Sequence, residues 1–105
     1  MFLPFRSLIN RQNGLAKKHP SLKADLAILI NSLSAEPEQG VALGNGFFKI
    51  RLAISSKSKG KSGGARVITY LKVIQKTVYL TSIFDKSEKS TLNDKELEKI
   101  FSLIP

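Results

Sequence analysis

Between Phe48 and Ser55 apolar and polar residues alternate: Phe48, Ile50, Leu52 and Ile54 fall on one side of an extended chain, Lys49, Arg51 and Ser55 on the other. The alternation predicts a half-buried strand whose wet side is cationic. Upstream, Leu22, Leu26, Leu29 and Leu33 step at four, three and four, the spacing that lines one side of a 3.6-residue helix, and Pro20 and Ser21 mark its start. Ser34 to Gly46, with Pro37, Gly40, Gly44 and Gly46, ends that helix and reads as a connection. Ala65 to Ile74 carries apolar residues on both faces, the pattern of a central strand. Arg66, Tyr70 and Lys72 share one of those faces. Gln75-Lys76 then links it to a further strand, Thr77 to Phe84, as a tight hairpin.

The C-terminal helix has the best-marked start in the chain. Asn93 is placed as N-cap, Glu96 closes a capping box, and Leu92 is set to staple onto Leu97. Its apolar face is Leu97, Ile100, Phe101 and Ile104. Arg6 to Lys18 shows some helical spacing through Leu8, Ile9 and Leu15, but Asn13-Gly14 interrupts it, and no clean first strand precedes it.

Composition narrows the class. A chain of 105 residues has room for one domain, 1–105, in which 1–15 is the atypical segment. It has no cysteine, which removes disulfides, thiolate metal sites and thiol nucleophiles. Apolar runs such as Leu26 to Ile30 fall far short of the roughly 20 residues a membrane span needs, so no membrane partner is expected. Met1-Phe2-Leu3-Pro4-Phe5 lacks the charged start and uninterrupted apolar core of a secretory signal, and the cytoplasm is the expected location.

Charge changes the picture most. Val41 to Phe84 holds eight lysines and arginines and no acid, whereas the rest of the chain sets nine basic residues against eight acids. A net charge of +9 concentrated in one supersecondary unit calls for an anionic partner, and a polyphosphate backbone is the first candidate. Lys49 and Arg51 emerge on the same strand face about 7 Å apart, the spacing of adjacent phosphates. If Ala65 to Ile74 pairs beside them, Arg66 reaches the same surface, and three cations converge where a phosphate would gain charge in a transition state. A solvated strand face also carries Lys and Arg for solubility alone, so both readings stay open.

The loop Ser56 to Gly64, with Lys57, Lys59 and Lys61, is suited to follow a nucleic-acid backbone or an acidic protein surface. Its Gly60-Lys61-Ser62 imitates the end of a phosphate-binding P-loop, but Ser55 stands where the first glycine belongs and a strand follows. His19, the one histidine, sits at a helix entrance and suits a capping role. Asp94, Glu96 and Glu98 complement a helix dipole and need no catalytic explanation.

Lys49-Ile50-Arg51-Leu52, the phrase Lys59 to Ile68 and Ile83-Phe84-Asp85-Lys86-Ser87-Glu88 together resemble the RelE/HigB/ParE superfamily of type II toxin–antitoxin toxins, over roughly Ala16 to Ile104. The Lys59 to Ile68 phrase is similar to the RelE-like and HigB-like branches more than to the gyrase-directed one. The resemblance implies an α+β fold: a small antiparallel sheet with N-terminal helical segments on one side and a C-terminal helix. It implies a ribosome-dependent mRNA endonuclease that inhibits translation through metal-independent 2′-hydroxyl attack, uses no cofactor, and has a cognate antitoxin, the ribosome and mRNA as partners. Lys49, Arg51 and Arg66 match the cationic catalytic positions. Lys86 matches the basic position after the last strand, where it would bind phosphate or donate a proton. Lys57, Lys59, Lys61, Tyr70 and Phe84 are the expected RNA contacts.

The chain departs from the pattern in three places. Ser87 stands where the RelE type has arginine, and no tyrosine lies near Asn93. Phe84 replaces the tyrosine usual in the HigB-like pattern and keeps the aromatic face without the hydroxyl. The third departure is the start, where a missing edge strand would favour a homodimer. A decayed toxin that only binds its antitoxin, and a ParE-like gyrase inhibitor, are the alternative readings.

Overall fold

The computed structural model describes residues 5–7, 20–54, 64–74, 77–86 and 91–104. In chain order the elements are β1 (Phe5–Ser7), α1 (Leu22–Ala35), β2 (Val41–Gly44), β3 (Phe47–Leu52), β4 (Ala65–Lys72), β5 (Thr77–Asp85) and α2 (Asp94–Leu103). They build a five-stranded sheet in the order β1-β5-β4-β3-β2. The β2, β3, β4 and β5 strands run antiparallel to their neighbours, and β1 joins parallel to β5. The α+β architecture expected for the chain is the one observed, with the two helices on opposite faces of the sheet.

Every leucine of the four-three-four pattern points inward: Leu22, Leu26, Leu29 and Leu33 are buried against Ile50, Leu52, Ala65, Val67, Leu80 and Ile83. On the other face α2 lays Leu97, Ile100 and Ile104 over Phe47, Ile68, Tyr70 and Phe84. Its start is built as the sequence prescribes. The Glu96 backbone N–H donates to Asn93 Oδ1 at 2.8 Å and the Asn93 N–H to Glu96 Oε1 at 2.9 Å. Leu92 and Leu97 meet in the same apolar cluster.

Three expectations are corrected. Phe5–Ser7 does form a first strand, paired Phe5↔Val78 to Ser7↔Leu80, so the outer edge of β5 is covered and the argument for dimerisation from a missing strand lapses. Part of the connection after α1, Val41–Gly44, is also a strand. The β2–β3 turn runs through Gly44, Asn45 and Gly46, all at positive φ (94°, 56° and 90°), the left-handed conformations that an Asn-Gly hairpin supplies at low steric cost. Lastly, β4 ends at Lys72, which pairs with Thr77; Val73 and Ile74 are exposed in the turn, because the chain must leave the ladder there to come back. Gln75 and Lys76, His19 and the helical spacing across 8–19 lie outside the described residues. No helix among the described residues is long and apolar enough to cross a membrane.

Candidate functional site

Strand register decides which cations meet. In the β3–β4 ladder Arg51 stands directly opposite Arg66, and Lys49 opposite Ile68. Directly opposed residues in an antiparallel pair project to the same side with Cβ atoms about 5 Å apart. Lys49, two residues from Arg51, is on that side as well. The face is the one that carries α2. On the far side of β4, Arg66 is opposite Phe84, and the ladder continues one residue further, with the Lys86 N–H donating to the Gly64 carbonyl at 3.2 Å. Alternation then carries Lys86 to the Phe84 side of the sheet. Lys49, Arg51, Arg66 and Lys86 thus belong to one end of one face, spread over three adjacent strands.

Their environments differ. Arg51 and Lys86 are exposed and Lys49 is half-buried, while Arg66 keeps only 6 % of its surface. Among the described residues the Arg66 guanidinium has one hydrogen-bond partner, the Ala65 carbonyl, reached from Nη1 at 3.2 Å. Burial, and after it the charge of Arg51, pull the Arg66 pKa below the ordinary arginine value. Like charges placed opposite one another on a sheet repel, and a desolvated guanidinium lacks the water that would screen it. A doubly accepting anion set between Arg51 and Arg66 relieves both penalties, which is how a phosphate site behaves before its ligand arrives.

The remaining expected contacts divide. Phe84 is half-buried beside Arg66 and touches the α2 cluster. Tyr70 sits at the opposite end of the face, four residues along β4 from Arg66, with ring contacts to Phe47 at 5.0 Å, Phe101 at 5.6 Å and Tyr79 at 6.4 Å. Lys57, Lys59, Lys61 and Ser87 lie outside the described residues.

Sequence reasoning missed a cavity of about 650 Å³ at that aromatic end, between the β2–β3 turn and α2. The signal was present in two halves: an Asn-Gly turn, and a helix whose carboxylates at Asp94 and Glu98 fall one turn apart on the side of Leu97 and Phe101. Only the fold joins them.

The family model describing the RelE toxin of the RelE/RelB toxin–antitoxin system matches residues 13–103. The chain belongs to the RelE toxin family. A solved structure of a mutant E. coli toxin RelE in the free state is similar in fold, with a TM-score of 0.57, 14 % identity, and coverage of 97 % of this chain and 93 % of that one. Membership of the RelE family makes the chain the toxin component of a toxin–antitoxin system, and an antitoxin is the partner that family implies. The match begins after β1, which occupies the sheet edge beside β5.

Proposed function

We propose that this toxin is an RNA endonuclease that cuts messenger RNA on the ribosome and so stops translation in the cytoplasm. One observation carries the reading: Arg51 and Arg66 are paired across β3 and β4 with Lys49 on the same face, in a stretch of chain without acids. Lys49 and Arg51 hold the phosphates, and Arg66, already desolvated, takes up the charge that develops on the phosphoryl oxygens. The ribose 2′-oxygen forms the new bond to phosphorus and the bond to the 5′-oxygen breaks. The 2′-hydroxyl proton passes to a base, and Lys86 returns a proton to the leaving oxygen. Phe84 offers a ring face for a base beside the cleaved linkage, and Lys57, Lys59 and Lys61 follow the backbone. The cognate antitoxin is proposed to cover this cationic face with an acidic, largely helical segment.

Translation-coupled cleavage of messenger RNA by the purified chain tests the proposal. Arg51→Ala and Arg66→Ala are each expected to lower cleavage by roughly a hundredfold or more, the usual effect of removing one preorganised charge from a transition state. Cleavage undiminished in both variants would remove the site, and no cleavage by the native chain would remove the activity. A second reading, a toxin fold that binds its antitoxin without chemistry, draws support from the inward turn of Arg66 toward the Ala65 carbonyl and from the missing hydroxyl at Phe84. Growth arrest on expression separates the two, because a catalytically silent chain leaves growth unchanged.

A further inference from the structure

At the cationic end of the sheet, β3 and β5 both meet the backbone of Gly64, the residue just before β4. The β3–β4 ladder closes on Leu52↔Ala65 and the β4–β5 ladder on Ala65↔Asp85, so Gly64 is the first residue past both. On the β5 side its carbonyl accepts the Lys86 N–H at 3.2 Å. On the β3 side a Cβ at Gly64 would fall on the Leu52 carbonyl oxygen, with the Leu52 carbonyl carbon at 3.2 Å and the Ala53 Cα at 3.5 Å. The atoms in the way are backbone, so no change of rotamer makes room for a methyl group. Gly64 is buried, and the close approach to β3 is open to glycine alone.

Lys86 depends on that contact. Arg51 and Arg66 face each other inside the β3–β4 ladder, where neighbouring rungs hold them. Lys86 stands beyond the end of β5 at Asp85, and the bond to Gly64 prolongs the ladder to reach it. Prying Gly64 from Leu52 moves the acceptor, so the Lys86 backbone either follows or loses its bond. A reacting group misplaced by about 1 Å forfeits up to a hundredfold in rate.

We propose that Gly64 is a positioning residue: packed without a side chain against the Leu52 carbonyl, it fixes the Lys86 backbone so that the ammonium faces the leaving 5′-oxygen. This role rests on Lys86 being the proton donor of the proposed cleavage.

The test compares two messenger RNAs in translation-coupled cleavage by the full chain, one with the natural 5′-oxygen at the cut linkage and one with sulfur in its place. In both the 2′-oxygen bonds to phosphorus, but a 5′-thiolate leaves without taking up a proton, so the sulfur linkage needs no acid. Lys86→Ala is the benchmark, with an expected loss of roughly a hundredfold on the oxygen linkage alone. Gly64→Ala is expected to slow the oxygen linkage by roughly tenfold or more and the sulfur linkage by less than about twofold. The same molecules cut both linkages, so the ratio of the two rates is blind to any fraction of the variant that fails to fold. Independently of cleavage, the NMR scalar coupling across the hydrogen bond from the Lys86 nitrogen to the Gly64 carbonyl should be present in the native chain and lost in Gly64→Ala. A Gly64→Ala variant that cuts both linkages like the native chain, slows both equally or keeps the coupling overturns the positioning role and leaves the donor reading intact. Equal slowing of both linkages by Lys86→Ala, or no cleavage by the native chain, overturns the donor reading and the role of Gly64 with it.

Discussion

On the α1 side of the sheet, Ile50, Leu52, Val67 and Ile83 meet Leu22, Leu26, Leu29 and Leu33, and the core is apolar throughout. On the α2 side the same strands present Phe47 and Tyr70 at one end and Arg51 and Arg66 at the other, with Lys49 and Ile68 facing each other between them. Among the residues of α2 itself only Leu97 is buried, and Phe101 and Leu103 are exposed. One face holds the molecule together, and the other gives up apolar contact to keep charge and cavities. Burying a cation beside its like costs stability. It follows that substitutions should act in opposite directions on the two sides.

The largest effect is expected on the α1 side. Leu33 has no exposed surface, and Leu33→Ala should cost about 2–5 kcal/mol by lost burial and the cavity left behind, read from the urea midpoint. A cost under about 1 kcal/mol would mean that α1 is not the stabilising partner of the sheet. On the other side Arg66→Met keeps an unbranched stem and removes the guanidinium and its charge. Its expected effect is a gain of about 1 kcal/mol in stability together with loss of RNA cleavage. The pH dependence follows from the lowered pKa of Arg66. A basic group whose folded pKa is depressed is penalised wherever it is protonated, and the penalty lifts only as pH rises through that pKa. The gain should therefore stay level between about pH 6 and about pH 9, both well below the arginine range. A loss of stability on Arg66→Met would show that the guanidinium is satisfied after all. Between these in place, Gly46→Ala tests the aromatic end. Positive φ and the close approach to Tyr70 should cost about 1 kcal/mol, with the Tyr70 ring resonances displaced.

How much of this was legible in the sequence differs by the range of the contacts concerned. The capping box at Asn93 and Glu96, the leucine spacing of α1 and the alternation of β3 are local patterns, and each is found as read. The β1 and β2 strands were missed for a physical reason. Three residues at Phe5–Ser7 and four at Val41–Gly44 are too short to show a period, and each is an extended segment because a longer neighbour offers a ladder to complete. The same holds at the site. That Lys49 and Arg51 share a face follows from a period of two, but the pairing of Arg51 with Arg66, and the burial of the latter, depend on the β3–β4 register and on what covers it. The cavity at Tyr70 joins residues from a turn, two strands and a helix, and no single window of sequence contains it.

The smallest expected effect concerns how the working face is held. Asn93→Ala removes the acceptor for the Glu96 N–H and leaves the Glu96 side chain bonded to the Asn93 backbone N–H, so half of the reciprocal cap is lost. The cost should be about 0.5 kcal/mol, the low end for a lost N-cap acceptor. Most of it should appear locally, since α2 is fastened by one buried leucine and a few partly buried neighbours, whereas α1 is fastened by four. Amide exchange is the discriminating measurement: protection should fall at Leu97 to Phe101 and stay unchanged at Leu26 to Ile30. If both helices lost protection together, the two sides would unfold as one unit, and the division of labour between the faces would be structural only, with no difference in local stability behind it.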